Sequence, residues 1–306
     1  MLRRTYPVVS HGVDAGHLGP IRVKAPDASD RAPYRRTMIE RTSRPSDIAR
    51  QVAVISAAAF MIIAALVGTG IFGGTPVEDL QDGKLSAEYS FLAPAQQAFS
   101  IWSVIYVGLL AYTVRQALPG QRASERQRAL GWWIALSMVL NGLWLVFAQF
   151  TTLLLTVIGI VALLVVLCII FRIAVGTREA GGGVLDSLLI DGANGLHLGW
   201  VTLATVANTT AFLTDIAPDA WGDAATPVGI VVLVVVGLIG VAIASFSRGR
   251  VAPALALTWG LSWLAVGRLA GEPESTGIGI TAIVIAVVVL LSAIIVRFAR
   301  GRAPTS

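Results

Sequence analysis

Residues 129–171 read ALGWWIALSMVLNGLWLVFAQFTTLLLTVIGIVALLVVLCIIF, from Ala129 to Phe171, without one Asp, Glu, Lys or Arg. A bilayer core about 30 Å thick takes roughly 20 apolar residues per helix. The run is therefore two spans long and has to double back, and Gln149-Phe-Thr-Thr152 is the natural place for a tight turn. Backbone in lipid must satisfy its own hydrogen bonds. Barrel strands would be short and alternating, which these residues are not, so both spans read as helices.

Working outward with the same measure gives eight stretches: Val52–Phe72, Ala95–Ala117, Ala129–Gln149, Thr152–Ile173, Ser187–Leu213, Pro227–Phe246, Ala254–Leu269 and Gly277–Phe298. The fold class expected is all-α, a polytopic transmembrane helical bundle of about eight spans. The composition agrees. The chain of 306 residues is 55% hydrophobic and only 13% charged, with a mean hydropathy of +0.75. A soluble domain carries about 25% charged residues, so a water-soluble enzyme is excluded. The single cysteine, Cys168, excludes an internal disulfide framework and a multi-cysteine metal site.

A pI near 9.9 would suit nucleic acid, but the placement of the basic residues argues otherwise. Of the 23 Lys and Arg, all but Lys84 and Arg268 fall in the first fifty residues, after the even-numbered spans or at the chain end. Glu78, Asp79, Asp82, Glu88, Asp215, Asp219, Asp223, Glu272 and Glu274 share the side of those two exceptions. Eight spans with both termini cytoplasmic is the simple count that gives this alternation, by the rule that Lys and Arg stay inside. The expected location is the cell inner (plasma) membrane, multi-pass. Partners expected are the lipid bilayer, a small hydrophobic ligand and, as one option, a second copy in a homodimer; no nucleic acid is expected. Residues 1–47 mix Pro, Gly, Arg and Asp without periodicity and read as a basic disordered cytoplasmic tail, with residues 299–306 a second cytoplasmic tail. Met38 is an alternative start to Met1. The preference for Arg over Lys suggests a GC-rich bacterial genome.

Several motifs resemble chemistry without its context. Gly68-Thr-Gly70-Ile-Phe-Gly73 matches G-x-G-x-x-G but closes an apolar helix, where a dinucleotide site needs a strand before it and a helix after it. Asn208-Thr-Thr210 matches a glycosylation sequon inside span five. Leu110-Ala-Tyr112-Thr-Val-Arg115 fits a weak cholesterol pattern and is explained by a Tyr and an Arg anchoring a helix end. No nucleophile elbow, phosphate loop or carboxylate dyad appears, so no catalytic residue is assigned and enzymatic activity is not the leading expectation. No ionisable residue lies deep in a span, with Asp191 near one end and Arg268 near the outer surface, which counts against a coupled pump.

Uncharged polar and aromatic residues recur at helical spacing. Phe99, Trp102 and Tyr106 share a face of span two, as do Asn141, Trp144 and Ala148 of span three, and His197, Trp200, Ala204, Ala207 and Asn208 of span five. An amide in lipid is costly unless it bonds across helices, so these faces are expected to point into the bundle. Taken singly, each amide fits a role as interhelical glue and each Trp a role in packing; three such faces together also fit a shared apolar pocket with a few placed polar groups. His197 could ligate a haem iron, but no second His lies in a span, and a hydrogen bond to a neighbouring helix is the expectation. No metal ligand is assigned.

These segments carry a family resemblance. Pro94-Ala-Gln-Gln-Ala-Phe99-Ser-Ile-Trp102-Ser-Val-Ile-Tyr106-Val-Gly108 resembles the second-helix signature of the tryptophan-rich sensory protein, or translocator protein, family (TspO/MBR). Asn141-Gly-Leu-Trp144 resembles its third-helix element, and His197-Leu-Gly-Trp200-Val-Thr-Leu-Ala204-Thr-Val-Ala-Asn208 its fifth-helix element. The W-x-P-P loop of the family is reduced to Pro94, His197 stands where the family has Tyr, and the Pro before it is absent. The resemblance covers a five-helix membrane domain over 52–214. Three additional transmembrane helices over 227–298, with Thr258-Trp259-Gly-Leu-Ser-Trp263, extend beyond it, and the chain is identified as a member of a longer, eight-span TspO-like branch.

The resemblance implies a pocket for porphyrins and other apolar ligands, lined by Trp102 and Trp200, which stand at positions implicated in porphyrin photodegradation. Tyr106, Asn141, Trp144 and Ala204 match other pocket positions. The function expected is therefore an integral membrane protein that binds a hydrophobic or tetrapyrrole-like ligand, with a sensory or regulatory output. No cofactor is required, a porphyrin being ligand rather than prosthetic group. The alternatives are a passive small-molecule transporter or permease, and a light-dependent porphyrin-degrading activity.

Overall fold

The computed structural model describes residues 43–68, 75–178 and 183–301. Among these residues there are eight long helices and no strand: α1 Pro45–Gly68, α2 Ile101–Ala117, α3 Glu125–Phe150, α4 Leu153–Gly176, α5 Ala193–Ile216, α6 Ala225–Phe246, α7 Val251–Ala270 and α8 Thr276–Gly301. Residues 1–42 of the expected tail, the Gly70–Gly73 part of the glycine motif and residues 302–306 lie outside the description.

The uncharged run folds as α3 and α4, and the turn falls at Thr151 and Thr152. There the Thr151 amide and hydroxyl both donate to the Phe147 carbonyl, at 2.9 and 2.6 Å. Helices α1, α2, α5, α4 and α3 pack in that order into a closed ring. Helix α7 packs on α5 outside the ring, α8 on α7, and α6 on α8. Two cores follow: one inside the ring, around Ile105, Tyr112, Met138 and Trp200, and one among α6, α7 and α8, around Leu233, Leu257 and Val289.

Six of the helices are long and apolar enough to cross a membrane by length and composition; α5 and α7 are not among them. Their position explains this. Half of the 24 residues of α5 and half of the 20 of α7 are buried against other helices, whereas α6 buries six of 22. A helix shielded from lipid by its neighbours can carry Asn, His, Thr and Arg that a lipid-facing helix cannot. Helix α6 instead turns Val231, Val234, Val235 and Leu238 outward, and α8 turns out Ile283, Val284 and Val287.

Several boundaries differ from those expected. Helix α1 begins at Pro45 rather than Val52, inside the stretch read as disordered, because its charged first turn is taken into the structure. Asp47 is 1% exposed, accepts a two-pronged contact from Arg128 of α3 at 2.8 and 2.7 Å and pairs with Arg50. Arg50, also buried, donates to the Arg122 carbonyl at 3.0 Å. Helix α8 continues through residue 301, past the expected Phe298. The fifth span is divided: a π-helical turn, Ser187–Gly192, precedes α5. It brings Asp191 inward, where Arg126 and Arg250 meet it at 2.6 and 2.9 Å. Tyr112 is no helix-end anchor in the interface; it is fully buried and donates to Gln127 Oε1 at 2.8 Å, while Arg115 pairs with Asp186. These charged groups gather at one end of the bundle, hereafter the near end.

At the far end, the segment from Thr75 to Ala95 lies across the helix tips. Gln81, at a φ of 56°, donates to the Ala148 and Thr151 carbonyls at 2.9 and 2.7 Å. Lys84 pairs with Asp215 at the end of α5 at 2.6 Å, and that carboxylate raises the Lys84 ammonium above its usual range.

Candidate functional site

The far end holds a cavity of about 940 Å³, in the range of small-molecule sites. Helices α1, α2, α3 and α7 and the Thr75–Ala95 segment contribute to its lining. A 3-10 turn, Gln96–Ser100, leads into α2 and sets the aromatic face of that helix toward the ring. The turn is held from outside the ring: the Trp259 indole of α7 donates to the Ala98 carbonyl at 3.0 Å, and the Ala95 amide to the Trp263 carbonyl at 3.2 Å.

Of the nine residues expected at a pocket, Phe99, Trp102, Tyr106 and Trp144 line the cavity. The remaining five are not on its wall but pack behind it or beside it. Trp200, 1% exposed, meets Phe99 edge-on at 5.6 Å and Trp102 at 6.1 Å between ring centroids. His197 meets Trp102 edge-on at 5.7 Å, and Trp102 stacks on Tyr106 at 5.3 Å. The Tyr106 hydroxyl donates to Asn141 Oδ1 at 3.0 Å, and the Trp144 indole to Asn208 Oδ1 at 3.1 Å. Asn208 in turn donates to the Ala204 carbonyl one turn back, at 2.9 Å. The three faces thus converge, with both amides joining helices as expected.

His197 departs from expectation. It is fully buried, yet neither ring nitrogen has a hydrogen-bond partner among the described residues, and the same holds for Asn141 Nδ2 and Trp200 Nε1. A buried unpaired donor or acceptor costs about 1–3 kcal/mol, so these atoms subtract from the stability of this part of the ring.

Sequence reasoning missed the residues contributed by α7 and the loops. Arg268 and Glu272, with Asp79 and Glu88 of the Thr75–Ala95 segment, line the same cavity. Arg268, placed by hydropathy near the outer surface, is fully buried. It donates to the Ser90, Ala87 and Glu272 carbonyls at 3.2, 2.9 and 2.8 Å. A lone Arg in the last turn of an apolar stretch was the available signal, because a guanidinium inside a span either faces the bundle interior or snorkels to water.

Eight long helices, six of them long and apolar enough to cross a membrane, define a multi-pass membrane protein, with an aromatic cavity lined at one end by four of them. A family model described as TSPO-like protein matches residues 51–295, and the chain belongs to that family. The match continues beyond α5 into α6, α7 and α8, so the helices outside the ring fall within the family model. No curated protein and no solved structure matches the chain.

Proposed function

We propose that this TSPO-like membrane protein binds a hydrophobic or tetrapyrrole-like ligand in the far-end cavity and serves a sensory or regulatory role. The observation that carries the reading is the wall of Phe99, Trp102, Tyr106 and Trp144 around about 940 Å³. Large flat rings contribute apolar area and stack on flat ligands, and Trp200 and His197 stiffen the wall from behind. The protein sits in the plasma membrane with both termini cytoplasmic, which puts the near-end arginines on the cytoplasmic side and the cavity at the outer side.

The test is a titration of the purified protein with protoporphyrin IX, followed by tryptophan fluorescence. Trp102 and Trp144 line the cavity, so a bound porphyrin quenches them saturably, and the paired change Trp102→Phe with Trp200→Phe weakens the response. Non-saturable quenching that both forms share would remove the ligand-binding reading. Loss of the porphyrin absorption band only under illumination would shift the function to a degrading activity.

A further inference from the structure

The near end carries more cations than its carboxylates can pair. The described carboxylates there are all engaged: Asp47 with Arg128 and Arg50, Glu125 with Arg128, Asp186 with Arg115, and Asp191 with Arg126 and Arg250. These pairs fasten the five-helix ring and the start of α7. The helices outside the ring bring no described carboxylate to this end, because Asp219, Asp223, Glu272 and Glu274 lie toward the other. Arg248 and Arg297 are both exposed, and their side chains make no hydrogen bond or ion pair among the described residues.

The turn between α6 and α7 places these two arginines close together. Its Gly249 amide donates to the Ala244 carbonyl at 2.9 Å, and the Arg250 amide donates to Ser247 Oγ at 3.2 Å. A Cβ on Gly249 would run into the Arg297 backbone of α8, so the turn lies directly on that helix. Arg248 is one residue, about 3.8 Å between Cα atoms, from the contact. Its φ is 61°, a conformation that favours Gly, so a long cation is kept here against the local backbone preference. Each arginine borders exposed apolar surface on its own helix: Ile239 and Phe246 on α6, and Leu291, Ile295 and Phe298 on α8.

We propose that Arg248 and Arg297 form a headgroup site for an anionic phospholipid, so that the helices outside the ring hold one lipid of the near-end leaflet. The site stands apart from the cavity, and it needs only that the chain crosses a membrane. A phosphodiester has two free oxygens, and guanidiniums from two different helices each take one in a charge-assisted contact. The apolar residues beside the arginines receive the acyl chains, which a water-soluble phosphate lacks. Charge selects among lipids. A zwitterionic headgroup brings its own ammonium to the phosphate and leaves the pair of cations uncompensated, whereas a net negative headgroup compensates one of them. Basic residues near a membrane surface attract anionic lipid in general; two unpaired guanidiniums held together turn that attraction into a site.

The experiment is native mass spectrometry of the full-length protein in detergent, titrated with phosphatidylglycerol and with phosphatidylcholine of the same acyl chains. The unaltered protein retains one phosphatidylglycerol about tenfold more tightly than phosphatidylcholine, the size expected of a charge-assisted contact. Arg248→Gln and Arg297→Gln each remove most of that preference. Arg172→Gln, which deletes an exposed arginine of α4 at the same end, leaves it intact. An equal loss in all three variants would mean that diffuse positive charge attracts the lipid, and would overturn the proposal. A preference that survives Arg248→Gln combined with Arg297→Gln would overturn it too, since the lipid would then lie elsewhere, as on the basic N-terminal segment. Equal retention of the two lipids by the unaltered protein does the same and needs no variant to fold. Glycerol 3-phosphate bound as tightly as phosphatidylglycerol would show that the apolar flanks contribute nothing, and the assignment to a lipid would fall.

Discussion

The Trp144 indole of α3 donates to Asn208 Oδ1 of α5 at 3.1 Å, a bond that joins opposite sides of the five-helix ring next to the cavity wall. Asn208 is held in turn by its own bond to the Ala204 carbonyl. The amide therefore presents its oxygen, and only its oxygen, to the indole. Asn208→Leu removes the acceptor and leaves a buried N–H unpaired, with an expected loss of about 1 kcal/mol. Asn208→Asp keeps an acceptor but buries a charge. Both changes lower the thermal midpoint in detergent, Asp more than Leu, and both shift the Trp144 contribution to the emission spectrum.

The near end makes a different prediction. Asp191 carries two guanidiniums, Arg126 and Arg250, and both arginines also donate to the Ala174 carbonyl at the end of α4. One carboxylate thus fastens α3, α4 and α7 to the π-helical turn. Asp191→Asn leaves two largely buried cations without their counter-ion, at an expected cost of about 3 kcal/mol. Arg126→Gln costs less, since Arg250 still holds the carboxylate. Urea or thermal unfolding of the three proteins in the same detergent gives the order wild type, Arg126→Gln, Asp191→Asn from most to least stable. The reverse order for the variants would show that the cluster is held by packing rather than by charge.

Hydropathy made the helices legible because lipid imposes a single rule on every lipid-facing residue. It failed where lipid is absent. The first turn of α1 looks like tail because Asp47 and Arg50 are polar, and only Arg128, far along the chain, makes them fit to bury. The same limit applies at the site. The spacing of Phe99, Trp102 and Tyr106, and of His197, Trp200 and Asn208, shows which residues share a helix face. It does not show that Trp200 stands behind Trp102 rather than on the cavity wall. Arg268 lies on a separate helix whose docking against α5 is decided by shape, and no local pattern carries that information.

That docking is itself testable. A side chain at Gly199 of α5 would run into the backbone of Pro253 on α7, so the two helices approach each other closely only because the position lacks a Cβ. Gly199→Ala forces α7 outward and costs about 1–3 kcal/mol as overpacking. Gly120→Ala is the matched control, since nothing lies within 4 Å of a Cβ there. Stability measured by thermal unfolding drops for Gly199→Ala and stays near wild type for Gly120→Ala. Because α7 holds the turn before α2 through Trp259 and Ala98, the Gly199 variant also shows weaker porphyrin quenching.

The acidic rim supplies the last prediction, which concerns rates rather than affinity. Glu88 and Glu272 line the cavity while remaining exposed, so an anionic ligand meets their charge on its way to the aromatic wall. Exposed charges act over about 10 Å at 0.1 M salt and alter association more than dissociation. Glu88→Gln with Glu272→Gln therefore speeds the binding of protoporphyrin IX in stopped-flow quenching at low ionic strength. The gain shrinks as salt is raised, and the dissociation rate changes little. The dimethyl ester, having no charge to repel, associates with the altered and unaltered proteins at the same rate. A rise for both ligands would mean that the two side chains obstruct the entrance sterically, because loss of charge alone has no means of hastening a neutral molecule.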